Sequence, residues 1–105
     1  MDIAARVADH LVDNATVHGR SFDNGTITLR LIIDVTTREL LIEVDDALPA
    51  FPGFGEAADQ SRAVRGRPHG LWWVAHYGGR LSWDVTKDEQ GEHTGKTVQA
   101  VLPVA

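Results

Sequence analysis

Residues 26–34 and 39–46 carry the strictest pattern in the chain. Ile27, Leu29, Leu31 and Ile33 alternate with Thr28, Arg30 and Ile32, and Leu40, Ile42 and Val44 alternate with Glu39, Glu43 and Asp45. An apolar side chain at every second position marks a strand with one buried face. Only Val35-Thr36-Thr37-Arg38 separates the two runs, so they are expected to form a hairpin. A sheet with one apolar face needs another layer to cover it, and that requirement organises the rest of the chain.

Residues 2–18 supply a cover. At 100° per residue, Ile3, Ala4, Val7, Ala8, Leu11 and Ala15 fall on one broad arc of a helix, and Gly19 follows where helices commonly stop. Asp23-Asn24-Gly25 reads as a turn. Residues 47–68 break the pattern with Pro49, Pro52, Gly53 and Gly55, then hold a helical turn or two over 56–65. A loop of this length in a small domain is usually functional. Residues 69–77 read as a short helix ended by Gly78-Gly79, residues 80–86 as a strand through Leu81, Trp83 and Val85, and residues 87–95 as a polar loop. A last strand runs over 96–102 with Val98, Ala100 and Leu102 in phase, and Pro103 stops it. The expected fold is a single α+β domain over 1–105, a two-layer sandwich with helices on one face of a mostly antiparallel sheet.

Composition closes off several functions. The chain has 105 residues and no cysteine, which removes disulfide frameworks, thiolate metal sites and cysteine nucleophiles. Lys and Arg number 10 against 15 Asp and Glu, a formal charge of −5, which argues against nucleic acid as a partner. No apolar run approaches the ~20 residues of a membrane span. Asp2 stands where a signal peptide carries base, so the expected location is the cytoplasm. The five histidines show no metal-binding spacing.

Three polar features depart from the pattern. Asn14 shares the apolar face of the first helix with Ile3 and Val7, either as a structural amide bonded to nearby backbone or as a ligand-binding group. Asp46 is in phase with Leu40, Ile42 and Val44, so its carboxylate faces the core. It either caps the N–H groups of the following loop or accepts a hydrogen bond from a ligand. Gly66-Arg67-Pro68-His69-Gly70-Leu71 leads into a helix N-terminus, where exposed N–H groups favour an anion. It lacks the Gly-Lys-Ser/Thr of a Walker loop.

In this order the segments resemble the GHKL ATP-binding (Bergerat-type) fold shared by DNA gyrase B, the ninety-kilodalton heat-shock chaperones, sensor histidine kinases and MutL proteins. The likeness is nearest to the bacterial anti-sigma factor serine kinases. His10-Leu11-Val12-Asp13-Asn14-Ala15-Thr16-Val17-His18-Gly19 is similar to the N box, Glu-Leu-x-x-Asn-Ala-x-x-His-Gly. Val44-Asp45-Asp46-Ala47-Leu48-Pro49 is similar to the family's Asp box, residues 66–74 to its glycine-rich box, and Gly95-Lys96-Thr97-Val98 to its terminal Gly-x-Thr strand.

The resemblance implies ATP and Mg²⁺ as ligands. Asn14 would hold Mg²⁺, Asp46 would accept the exocyclic amine of adenine, Gly66, Gly70 and Leu71 would bring backbone N–H groups to the phosphates, and Thr97 would sit near the base. Residues 47–68, with Phe51 and Phe54, would form the ATP lid. On this reading Asp46→Asn weakens nucleotide binding while stability holds or improves, because a core-facing carboxylate is removed.

His10 stands where the family carries Glu, and an imidazole acts as a base near neutral pH without a carboxylate's charge. Pro68 replaces a glycine and removes one N–H. Relatives usually carry a strand and a helix before the N box, so this version is short at its N-terminus. The implied function is a bacterial regulator that acts on a sigma factor or an anti-anti-sigma antagonist, by serine phosphorylation or as a non-catalytic binding module. The open sheet edge, together with Trp72, Trp73 and Trp83 in two short elements, points to a homodimer with at least one indole in the contact.

Overall fold

The computed structural model describes residues 3–51, 74 and 78–103. One helix, α1 (Ile3–His18), precedes four strands, β1 (Thr28–Asp34), β2 (Glu39–Asp46), β3 (Arg80–Lys87) and β4 (His93–Pro103). The strands form one sheet in the order β1-β2-β4-β3, and every neighbouring pair is antiparallel. This is the expected α+β sandwich, a helix on one face of an antiparallel sheet.

The hairpin between β1 and β2 falls where the alternation placed it. The Asp34 carboxylate accepts hydrogen bonds from the N–H groups of Thr36 and Thr37 at 3.0 and 3.2 Å. Arg38 closes the turn in the left-handed region, at φ 58°. At the other hairpin, β4 begins at His93, three residues before the expected start, inside what read as polar loop. Backbone pairing does not require apolar side chains, so a polar edge segment can join a ladder without alternation to announce it. There the Asp88 carboxylate gathers the N–H groups of Gln90 and Glu92, which leaves a tight connection.

The core lies between α1 and the two central strands. Val7, Leu11 and Ala15 of α1 meet Ile42 and Val44 of β2 and Val98, Ala100 and Leu102 of β4, all buried. Each large apolar side chain removed from water there contributes about 1.5–3 kcal/mol. Ala4, Ala8, Val12, Ile27, Leu81 and Trp83 pack around this cluster. The indole of Trp83 is therefore turned to the core. Trp72 and Trp73 lie outside the described residues, as do most of the helix expected over 69–77 and most of the lid expected over 47–68. Val74 is helical and fully buried.

The cover does not extend over β1. Leu29, Leu31 and Ile33 are in register with Val44, Ile42 and Leu40 and so share the core-side face, yet they are 44, 61 and 68% exposed. The opposite face of the sheet carries a polar cluster beside an apolar strip of Ile32, Leu41 and Val101. Arg30 places its guanidinium between Asp45, at 2.6 and 2.8 Å, and Glu43, at 3.0 Å. Thr97 donates to Asp45 and Gln99 donates to Glu43, each at 2.6 Å.

Candidate functional site

The site assembles around the carboxylate of Asp46, the last residue of β2. The strand's phase turns this side chain to the helix side, where it is 1% exposed. Oδ1 accepts a hydrogen bond from the N–H of Leu48 at 2.8 Å, the loop-capping role its position suggested. It also accepts one from the ammonium of Lys96 at 3.1 Å. Oδ2 lies 3.0 Å from the same ammonium. That second approach is an ion pair without hydrogen-bond alignment, so Oδ2 has no hydrogen-bond partner among the described residues. A buried carboxylate oxygen in this state has spare acceptor capacity.

Two glycines let the chain close around this group. A Cβ on Gly19, just past the end of α1, would stand 2.6 Å from Asp46 Oδ2 and 2.5 Å from the Ala15 carbonyl oxygen. A Cβ on Gly95 of β4 would collide with the Asp46 carbonyl oxygen and approach the Cα of Ala47 to 3.2 Å. Neither space admits a side chain. The Arg20 carbonyl then accepts from the N–H of Ala47 at 2.7 Å, which ties the segment after α1 to the end of β2. Three segments that are far apart in sequence thus converge: the end of the N-box-like helix, Asp46, and the Gly95-Lys96 pair.

Lys96 is the residue that the sequence reading missed. It is in register with Asp46, and its side chain is 3% exposed. The ammonium also donates to the Leu48 carbonyl at 3.3 Å and lies 5.5 Å from the centroid of the Phe51 ring. Phe51 packs against Trp83 with ring centroids 6.0 Å apart. The signal was present in the sequence, because Lys96 has the phase of Val98, Ala100 and Leu102 and therefore had to face inward. Its presence reverses the expected stability effect of Asp46→Asn. That change strips a buried lysine of its counter-ion instead of relieving an isolated charge.

The other candidates lie around or apart from this centre. His10 and Asn14 are one turn apart on α1, and both are half-buried. Thr97 is on the opposite face of the sheet from Asp46, held by Asp45. Burial pushes the Asp45 carboxyl up, but hydrogen bonds from Arg30 and Thr97 outweigh it and hold the group below its ordinary value. The same bonds to Asp45 and Glu43 raise the Arg30 guanidinium further. A depression of about 450 Å³ opens on that face, lined by residues that include Glu43, Asp84, Thr97 and Gln99. Gly66, Gly70 and Leu71 lie outside the described residues.

Nucleotide and metal can be tested against these residues. The spare acceptor on Asp46 Oδ2 suits an amine-bearing base, with the backbone of Gly19 closed against it on one side and the Lys96 ammonium on the other. Among the described residues no group of three or more His, Asp or Glu could hold a metal ion by itself. A Mg²⁺ there would depend on Asn14 together with the ligand's own phosphates.

No protein-family model matches the chain, and no curated protein matches it in sequence. Among solved structures, the mycobacterial sensor histidine kinase MprB matches with a TM-score of 0.62 at 24% identity, over 93% of this chain and 68% of that one. The chain therefore shares its fold with that histidine kinase. Among the described residues no helix is long and apolar enough to cross a membrane.

Proposed function

We propose that this chain is an ATP–Mg²⁺-binding regulatory domain, of the kind represented by the anti-sigma factor kinases, that acts on a protein partner in the bacterial cytoplasm. The observation that supports this reading best is the buried Asp46 carboxylate, which retains an acceptor on Oδ2 and against which the backbone at Gly19 and Gly95 closes. Asp46 would accept the exocyclic amine of adenine. Asn14 would carry Mg²⁺, and Gly66, Gly70 and Leu71 would meet the phosphates from a lid formed by residues 47–68. Thr97 would act through the strand that carries it, since its own hydroxyl is engaged by Asp45. When bound, ATP–Mg²⁺ supplies a transferable phosphoryl group. His10 stands one turn before Asn14, where it would take the proton of a serine hydroxyl on the partner, a sigma factor or an anti-anti-sigma antagonist.

One observation favours a second reading, a non-catalytic binding module that keeps the fold without nucleotide. Lys96 already neutralises Asp46, as a vacated base site would require. Thermal melting with and without millimolar ATP and Mg²⁺ separates the two. A ligand that binds only the folded state at a hundred times its Kd adds about 2.7 kcal/mol of stability and raises Tm. An unchanged Tm in ATP, ADP and Mg²⁺ selects the binding module.

A further inference from the structure

We infer that Lys96 is a displaceable internal counter-ion, which holds the base position at Asp46 until a nucleotide base takes it over. The inference rests on the nucleotide reading above and adds the residue that sets access to that site.

Among the described residues the geometry leaves a base one way in. Asp46 is 1% exposed, and its Oδ2 is hemmed on one side by Gly19, where even a Cβ would stand at 2.6 Å. That wall is backbone at a helix end and cannot retreat without disturbing α1. On the other side the Lys96 ammonium lies 3.0 Å from Oδ2 and 3.1 Å from Oδ1. An amine donor needs to come within about 3 Å of the same carboxylate, where it would meet a cation that has no acceptor to offer. The movable part is the lysine, an ammonium on a flexible four-carbon stem.

The surroundings suit such an exchange. Besides the carboxylate, the partners of the ammonium among the described residues are the Leu48 carbonyl at 3.3 Å and the Phe51 ring, 5.5 Å from its centroid. When the ammonium leaves, it uncovers an aromatic face on which a base can stack. The exposed N–H donors of a base then take the place of the ammonium's donors on Asp46.

The chain has only two lysines, and Lys87 is exposed, so it provides an internal reference. The test is single-hit labelling of the full chain with an amine-reactive reagent, read residue by residue by mass spectrometry. It is run without ligand, with ATP–Mg²⁺, and with tripolyphosphate–Mg²⁺, which has the phosphates without a base. Calorimetry on the same samples reports whether ligand is bound. Without ligand, Lys96 is expected to label about tenfold more slowly than Lys87, or slower still, because its amine must first leave a buried ion pair. Saturating ATP–Mg²⁺ should remove most of that protection and leave Lys87 unchanged, whereas tripolyphosphate should not. Bound ATP with Lys96 still protected overturns the inference and leaves the nucleotide reading standing. Protection lost equally with tripolyphosphate also overturns it, because the base would then play no part. Absence of ATP binding overturns the nucleotide reading and the inference together.

Discussion

Removing the charge from Asp46 is predicted to damage the fold, and removing the charge from Lys96 as well is predicted to repair it. The two residues are 1 and 2% exposed and are in register on adjacent strands. Asp46→Asn leaves a buried ammonium without its counter-ion, and Lys96→Met leaves a buried carboxylate in the same condition. Each broken pair costs about 3–5 kcal/mol, a large share of the roughly 5–15 kcal/mol that holds a domain of this size.

The double variant removes both charges. Its amide oxygen can still accept from the Leu48 N–H, and the methionine fills most of the lysine's volume. Replacing a buried ion pair by neutral groups of similar volume is often neutral or stabilising, so the double variant should fall within about 1 kcal/mol of the parent protein. The coupling energy then exceeds about 3 kcal/mol, well beyond the ~0.5 kcal/mol within which independent sites add. Urea unfolding of all four proteins measures it, with the midpoint shifts read at constant m. A double variant that loses the sum of the two single losses would refute the reasoning, since Asp46 and Lys96 would then not be partners.

The glycine cradle predicts that Gly95→Ala destabilises by at least about 2 kcal/mol, the range of overpacked sites, because a Cβ there meets the Asp46 backbone; an unchanged urea midpoint contradicts this. On the outer face, Arg30→Met should cost about 1 kcal/mol at neutral pH, the scale of a part-exposed ion pair. Because Asp45 has its folded pKa lowered, this contribution is complete above its unfolded value of about 3.9 and disappears as pH falls through the folded value. The gap between parent and variant should therefore close in acid, and a gap that stays constant down to pH 2 rules out the pair. At the sheet edge, we propose that β1 pairs with β1 of a second copy about a two-fold axis through Leu31. That register sets Leu29 opposite Ile33 and places no like charges face to face. Sedimentation equilibrium should give a dimer at micromolar concentration and a monomer for Leu31→Lys; a monomer for the parent protein sinks the proposal.

What could be read from the sequence, and what could not, follows the range of each interaction. The phase of β2 is local, so Ile42 and Val44 announced the core face and Asp46 announced itself as a misfit on it. The hairpin at 35–38 was visible for the same reason. Gly19 was legible as a helix stop, but its need for close approach to Asp46 was not, because that depends on how α1 lies across the sheet. Lys96 was half legible: its phase pointed inward, yet its partner is fifty positions away and emerges only from the β2–β4 register. The exposure of Leu29, Leu31 and Ile33 could not be read from alternation at all. Alternation says which side of a strand is apolar, not whether a helix covers it, and α1 packs mainly over β2.

The central claim, that Asp46 and its neighbours form a nucleotide site, is tested most directly by amide chemical-shift mapping of the isotope-labelled chain during titration with ADP and Mg²⁺. The predicted result is saturable movement of the signals of Gly19, Asp46, Leu48, Gly95 and Lys96, with those of Leu29 and Leu31 on the uncovered edge unmoved. Shifts confined to the outer-face depression at Glu43, Ser82 and Gln99, or no shifts at millimolar nucleotide, would contradict it.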